Sequence, residues 1–373
     1  MTAYYKNSLE NLYHHKQIDE ATAMEYISKE QGNTIKDKLP INLYTPNLFV
    51  KIGLGVLTYF IIIGSTGLLY LMLSISRSYN LFFVFCGMVS YVFLEIMATK
   101  KKHYNSGVDN LLMIASVAFI SSGLAVDNHS DTLLSLIVLC LSIWMTIRFA
   151  DRFAACSAVM ALLAFLYFIL SSLFFAITPF FLIISAGIIY YFANKKSKLS
   201  TNFVYKPLVK IIAIIALLCF YVCGNYFIIN EMSDGIQLPT YVSAVFWLWT
   251  MIIPILYLVK GIISKDLIFI RSGVLLIAAS VITFKYYHTI MPVEQALLIA
   301  GIVLTLGSYI LIQKLKKAKW GFIYNEANVT ANKYENLEGI IIGETFGHQQ
   351  QTPEPDTKFG GGSFGGSGAG SNY

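Results

Sequence analysis

Residues 153–193 read FAACSAVMALLAFLYFILSSLFFAITPFFLIISAGIIYYFA, a run without one charged side chain. A helix needs about 20 residues to cross about 30 Å of hydrocarbon, so this run is too long for one span and long enough for two. Ser171, Ser172 and Pro179 interrupt it, and we read a tight hairpin between Phe153–Leu170 and Ile177–Ala193. Neither piece has a polar face, and neither alternates apolar and polar residues as the strands of a membrane barrel do. The fold class that follows is all-α, a polytopic helical membrane protein.

Working outward, the same reading gives Ile52–Ser74, Asn80–Ala98, Val108–Val126 and Thr132–Phe149 on the N-terminal side. Leu208–Ile229, Thr240–Val259, Leu267–Tyr287 and Pro292–Ile312 follow on the C-terminal side, making about ten transmembrane helices. Composition agrees: 56% of the 373 residues are hydrophobic and 13% charged, against about 25% charged in soluble domains. The charges then orient the chain, because cytoplasmic loops collect Lys and Arg. With the N-terminus inside, one side holds Lys36, Lys38, Lys51, Lys100, Lys101, Lys102, Arg148, Arg152, Lys195, Lys196, Lys198, Lys206, Lys210, Lys260, Lys265, Arg271, Lys314, Lys316, Lys317 and Lys319, while the other holds Arg77 and Lys285. Both ends are thus expected in the cytoplasm of a bacterial inner membrane, with little outside. No apolar signal segment precedes Ile52–Ser74, which reads as an uncleaved insertion signal and a true span. The net charge of +6 belongs to membrane anchoring. It is interrupted by every span and forms no surface for nucleic acid.

Residues 1–50 read as a cytoplasmic helical hairpin and linker, 51–313 as the ten-helix domain, 314–346 as a juxtamembrane segment and 347–373 as a flexible tail. In the first part Tyr5, Leu9, Leu12 and Tyr13 form a helical stripe, and Asp19 after Ile18 reads as the cap of a second helix. So small a hairpin cannot bury enough surface alone and is expected to dock on a partner or another copy of the chain. A hairpin whose second helix contains IDEATAMEYI, followed by the glycine-rich span KIGLGVLTYFIIIGSTG, resembles uncharacterised bacterial membrane proteins of the domain-of-unknown-function type. The resemblance covers roughly the first 75 residues and implies a class without an activity. At the other end Ile340, Ile341 and Ile342 form an apolar run too short for a span, and KFGGGSFGGSGAGSNY spaces Phe359, Phe364 and Tyr373 along glycine. These six residues are the candidate contacts to a cytoplasmic or membrane partner.

Inside the membrane the sequence holds no ionisable residue near a span centre, which weakens ion-coupled transport. Glu95, Asp109, Arg148, Asp151, Asp266 and Arg271 sit near the inner ends of spans as an interfacial ring, with Glu95 and Arg148 as a candidate pair. Pro254 lacks an amide hydrogen, so it frees the carbonyl of Thr250 and kinks its helix. Trp247, Trp249, Thr250 and Pro254 are therefore the candidate substrate residues. Small residues at Ala154 and Ala158, and at Ser157 and Ala161, permit close helix packing. Asp127, His129 and Asp131 share an outer loop and are the candidate ligands for a divalent cation. Cys219 and Cys223 share a helix face without a third ligand and read as packing residues. No phosphate-binding glycine loop, nucleophile with its base, or cofactor motif is present. The leading expectation is a non-enzymatic scaffold or assembly protein acting through its cytoplasmic ends, with the bilayer, protein partners and a homo-oligomer as its contacts. A transporter of an uncharged or lipid-like solute comes second, and an intramembrane enzyme third.

Overall fold

In a computed structural model the described residues are 2–24, 26–73, 79–125, 130–174, 177–199, 204–233 and 239–288, with isolated helical positions between 295 and 313. They form helices α1 (Lys6–Ala23), α2 (Lys29–Asp37), α3 (Leu48–Leu73), α4 (Tyr79–Thr99), α5 (Val108–Ala125), α6 (Asp131–Phe149), α7 (Arg152–Phe174), α8 (Thr178–Leu199), α9 (Lys206–Val222), α10 (Tyr226–Met232), α11 (Thr240–Ser264) and α12 (Leu267–Tyr287). All belong to one unit, Met1–Val329. Among the described residues the only β-pairing is an isolated bridge between Tyr44 and His103.

Among the described residues seven helices (α3, α4, α5, α6, α7, α11 and α12) are long and apolar enough to cross a membrane, and α9 with α10 makes an eighth candidate if that bent pair is one span. The chain is a multi-pass membrane protein. The opening run folds as two helices, α7 and α8, and its serines do not break α7. Ser172 instead returns its hydroxyl to the Ile169 carbonyl at 2.7 Å. Helix α8 falls short of the same apolar standard because Asn194, Lys195, Lys196 and Lys198 occupy its last turns. Of the tenth segment, Pro292–Ile312, only scattered helical positions are among the described residues.

The helices associate as four hairpins, α4 with α5, α6 with α7, α8 with α9, and α11 with α12. In the first, Gly123 lets the backbones meet: a Cβ there would lie 2.6 Å from the Asn80 carbonyl oxygen and 2.8 Å from the Val84 amide. Small residues do the same between α6 and α7, where Ala154, Ala155 and Ala161 are buried and Ser157 donates to Ser142 Oγ at 2.8 Å. Two hairpins share a turn design. Ala150 and Lys265 close α6 and α11 in the left-handed conformation at φ 49° and 53°. The aspartate that follows each one caps the next helix. Asp151 Oδ1 accepts from the amides of Phe153 at 2.7 Å and Ala154 at 3.0 Å, and Asp266 Oδ1 accepts from Ile268 at 2.9 Å. Two members of the interfacial ring are therefore caps. Asp109, already in the first turn of α5, instead takes the amides of Asn105 and Ser106 in the preceding loop at 2.6 and 2.8 Å. The pair foreseen from the sequence does form, with the Arg148 guanidinium on the Glu95 carboxylate.

The N-terminal hairpin exists, but its restart lies elsewhere than expected. Asp19 stays inside α1 and pairs with Lys36 of α2. The second helix begins instead at Ser28, whose side chain and that of Gln31 each take the other's backbone amide. That reciprocal cap satisfies two donors that a lone aspartate would leave open. The segment before α1 packs on its own chain. Tyr4 and Leu9 are buried in one cluster with Leu94, Met113, Met145, Phe149, Val204 and Leu208. Tyr4 donates its hydroxyl to the His103 carbonyl at 2.8 Å, its ring meets Tyr104 edge-on at 5.1 Å, and the Ala3 amide bonds to the Arg148 carbonyl at 2.7 Å. Burial raises the Tyr4 phenol well above its ordinary pKa, with the charge of Asp109 adding to it.

Candidate functional site

The segment expected as one span, Leu208–Ile229, is broken. Helix α9 stops at Val222, α10 starts at Tyr226, and the two axes differ by 71°. The cause is local: Gly224 weakens the helix, and Asn225 turns its side-chain oxygen onto the Phe227 amide at 2.9 Å as the cap of a new helix.

Beside the break runs α11 with the buried Pro254 in its interior. The Thr250 carbonyl that the proline leaves without its helical donor is met from α12, where the Ser280 hydroxyl lies 2.7 Å away. Ser280 Oγ also lies 2.9 Å from the Leu276 carbonyl, so its one proton is shared between two carbonyls and the Tyr221 hydroxyl at 2.9 Å is left to donate to it. Asn225 in turn donates its amide to Tyr221 at 2.9 Å and to Thr283 Oγ1 at 3.2 Å. Thr250 Oγ1 accepts the Tyr226 amide at 2.9 Å, tying the start of α10 to the kink, and donates to the Phe246 carbonyl at 2.8 Å. The helix break and the carbonyl freed by Pro254 are thus joined by one directional chain, Asn225 to Tyr221 to Ser280 to the Thr250 carbonyl. Every member is neutral, which suits a site away from water.

Of the four residues singled out from sequence, the structure brings Trp249, Thr250 and Pro254 to this junction. Trp249 packs on Phe220 with ring centroids 5.0 Å apart. Its indole covers Gly224 so closely that a Cβ there would lie 2.3 Å from Nε1, and that buried Nε1 has no hydrogen-bond partner. Trp247 points elsewhere. It stacks on Tyr226 at 4.7 Å and meets Tyr287 and His288 at 5.8 and 5.5 Å, in an aromatic cluster at the end of α10 and α12. Sequence reasoning passed over Tyr221, Asn225, Ser280 and Thr283. The Gly224–Asn225 dipeptide was the available signal for Asn225, since it is a turn former inside an apolar run.

Against the break lies a cavity of about 330 Å³ whose walls include Leu163, Tyr167, Leu182, Cys223, Ile229 and Phe246. Its volume is at the lower end of ligand pockets, about 300–1,000 Å³. Its lining offers no charged group, so it suits a neutral apolar guest. Among the described residues no three His, Cys, Asp or Glu side chains are grouped to hold a metal ion. Of the candidate loop ligands Asp127 and His129 lie outside the described residues, and Asp131 is an exposed first residue of α6. Ile340, Ile341, Ile342, Phe359, Phe364 and Tyr373 also lie outside the described residues.

Comparison with known proteins returns no match to any family model, curated protein or solved structure. The functional reading rests on the geometry alone.

Proposed function

We propose that this chain is a carrier for an uncharged, lipid-like solute, which it holds in the apolar cavity beside the α9–α10 break. The observation that carries the reading is the junction of a broken helix with one that holds a proline in its interior, tied by neutral hydrogen bonds and flanked by a charge-free cavity of about 330 Å³. Discontinuous helices are where membrane carriers hold solutes and hinge. With no acid or base in the cavity wall, the solute would be neutral. We further propose ten spans with both ends cytoplasmic in a bacterial inner membrane. The uneven distribution of Lys and Arg between alternate connections supports that arrangement. The scaffold reading drew on two adhesive ends. Of the N-terminal stripe, Leu9 is buried in the chain's own core while Tyr5 is exposed.

Intrinsic fluorescence tests the carrier. With Trp144, Trp247 and Trp320 replaced by phenylalanine, Trp249 is the only tryptophan left. A brominated monoacylglycerol should quench it saturably in the purified full chain, and Leu182→Trp, read by displacement of a labelled analogue, should abolish binding by filling the cavity. Quenching that rises linearly with added lipid, or binding indifferent to the cavity-filling change, would overturn the proposal.

A further inference from the structure

The seat of Tyr4 encloses a cavity of about 10 Å³, room for about one water-sized particle. Its polar wall is Tyr4, Tyr104, Asp109, Asn110 and Asp151, and the rest of the wall is apolar. Asn110 is 6% exposed, and its Oδ1 is buried without a hydrogen-bond partner. The neighbouring bonds fix which end of the carboxamide this is. Asn105 Oδ1 accepts from the Lys51 ammonium, so it is an oxygen, and the Asn110 atom 3.2 Å from it is the nitrogen. Asn105 is not part of the cavity wall, so the nitrogen is turned away and the oxygen is the end left to face the cavity. The two carboxylates beside it already hold backbone amides: Asp109 those of Asn105 and Ser106, and Asp151 those of Phe153 and Ala154. Tyr4 has given its hydroxyl proton to the His103 carbonyl. The cavity is therefore faced by oxygens, and neither Lys nor Arg lines it.

The charges around it agree with the geometry. Burial holds the Asp151 carboxyl above the usual carboxylate range, against the pull of the α7 amides, and the charge of Asp109 adds to the rise. The two acids thus stand near enough to repel. Behind the wall, Lys51 feels both carboxylates and answers one of them, while Arg152 is exposed and screened by solvent. Two carboxylates less one ammonium leave one negative charge beside an oxygen-lined cavity. A water would reach the Asn110 oxygen but leave the repulsion in place. Hard oxygen donors suit an alkali or alkaline-earth cation, and a single excess negative charge suits a monovalent one. We propose that Asp109, Asn110 and Asp151 bind a monovalent cation of sodium size, which holds the N-terminal segment, through the cover that Tyr4 provides, against α5 and the start of α7. This site is separate from the cavity at the helix break, and its proposal does not depend on the carrier reading.

The test uses the purified full chain in a non-ionic detergent and choline chloride, titrated with sodium chloride at constant ionic strength and, in a parallel arm, with potassium chloride. The readouts are the thermal unfolding midpoint and amide hydrogen exchange. Sodium should raise the midpoint saturably and slow exchange across residues 2–9, and potassium should bind less tightly because the cavity is small. Asn110→Leu removes the unpartnered oxygen and should weaken the apparent sodium affinity about tenfold, the loss expected for one contact to a charged group. Asp151→Asn should weaken it in the same direction, while in choline alone the change carries no such loss. Glu30→Gln removes an exposed acid from α2, outside the cavity wall, and should leave the affinity unchanged. Should the Asn110 variant not fold, the wild-type exchange pattern decides: slowing confined to residues 2–9 and 104–110 supports the site, and equal slowing along the whole chain overturns it. Equal midpoints in sodium and choline, potassium bound as tightly as sodium, or an unchanged affinity in Asn110→Leu would also overturn the proposal, and a buried water would take the cation's place.

Discussion

Where α4–α7 meet the N-terminal segment, the buried polar groups include two carboxylates, Asp109 and Asp151, each held by backbone amides next to the start of a helix. Where α9, α11 and α12 meet, they are hydroxyls and one carboxamide: Tyr221, Thr250, Ser280, Thr283 and Asn225. At a helix start, free amides can hold a negative charge. At the α9–α10 break the amides of Tyr226 and Phe227 are taken instead by Thr250 Oγ1 and Asn225 Oδ1, and the groups there are neutral and satisfy one another. The first region can tolerate substitution that removes charge but keeps an acceptor, whereas the second cannot lose a member without stranding its neighbours.

The largest effect should come from Asn225→Leu. This change removes the cap of α10 and the donor to Tyr221 and Thr283 together, so a loss of about 2–4 kcal/mol is expected. Unfolding in detergent measures it, and a loss no greater than that of an ordinary surface change would show that the break does not depend on its cap. Next comes Ser280→Ala, which strands the Thr250 carbonyl at a cost of about 1–2 kcal/mol. In a Pro254→Ala background the restored amide can take that carbonyl, and the same change should cost less than half as much. A double-mutant cycle reads the difference, and strict additivity would mean that Ser280 does not serve the kink. Smallest is Asp151→Asn. Because burial raises the folded-state carboxyl, the wild-type side chain favours folding most below its unfolded pKa of about 4 and loses that contribution as pH rises through the folded value. Asparagine keeps the cap without the charge. The variant should therefore gain slightly at pH 7 to 8, by less than about 1 kcal/mol, and the gain should fade as the buffer is acidified towards the folded value. A pH-independent difference would remove the contrast between the two regions.

The helical membrane architecture was legible because apolar length is a direct physical requirement of crossing hydrocarbon, as the run 153–193 illustrates. So was the Thr250 carbonyl, since proline chemistry identifies the atom it frees. Its partner was not, because Ser280 is 30 residues away and only packing of α11 on α12 brings it near. The break at Gly224 was hidden inside a hydrophobic average that reads straight through two small residues. The helix restart was misplaced for a related reason: Asp19 and Ser28 are both good caps in isolation, and the choice fell to the reciprocal bond with Gln31. Nor could the helical stripe tell that Leu9 is buried in its own chain while Tyr5 is exposed, or that Tyr4, outside the stripe, is buried beside it.

The docking of that first segment has a consequence in time. Tyr4 and Leu9 leave the ribosome early, but part of their resting place, Val204 and Leu208, is translated about 200 residues later. At about 5–20 residues per second, that is a wait of roughly 10–40 s. Through that interval the tyrosine and leucine lack part of their final cover while span after span enters the bilayer. The seating of the N-terminal segment is thus among the late events of biogenesis, a latch that can close only after α9 has begun to emerge.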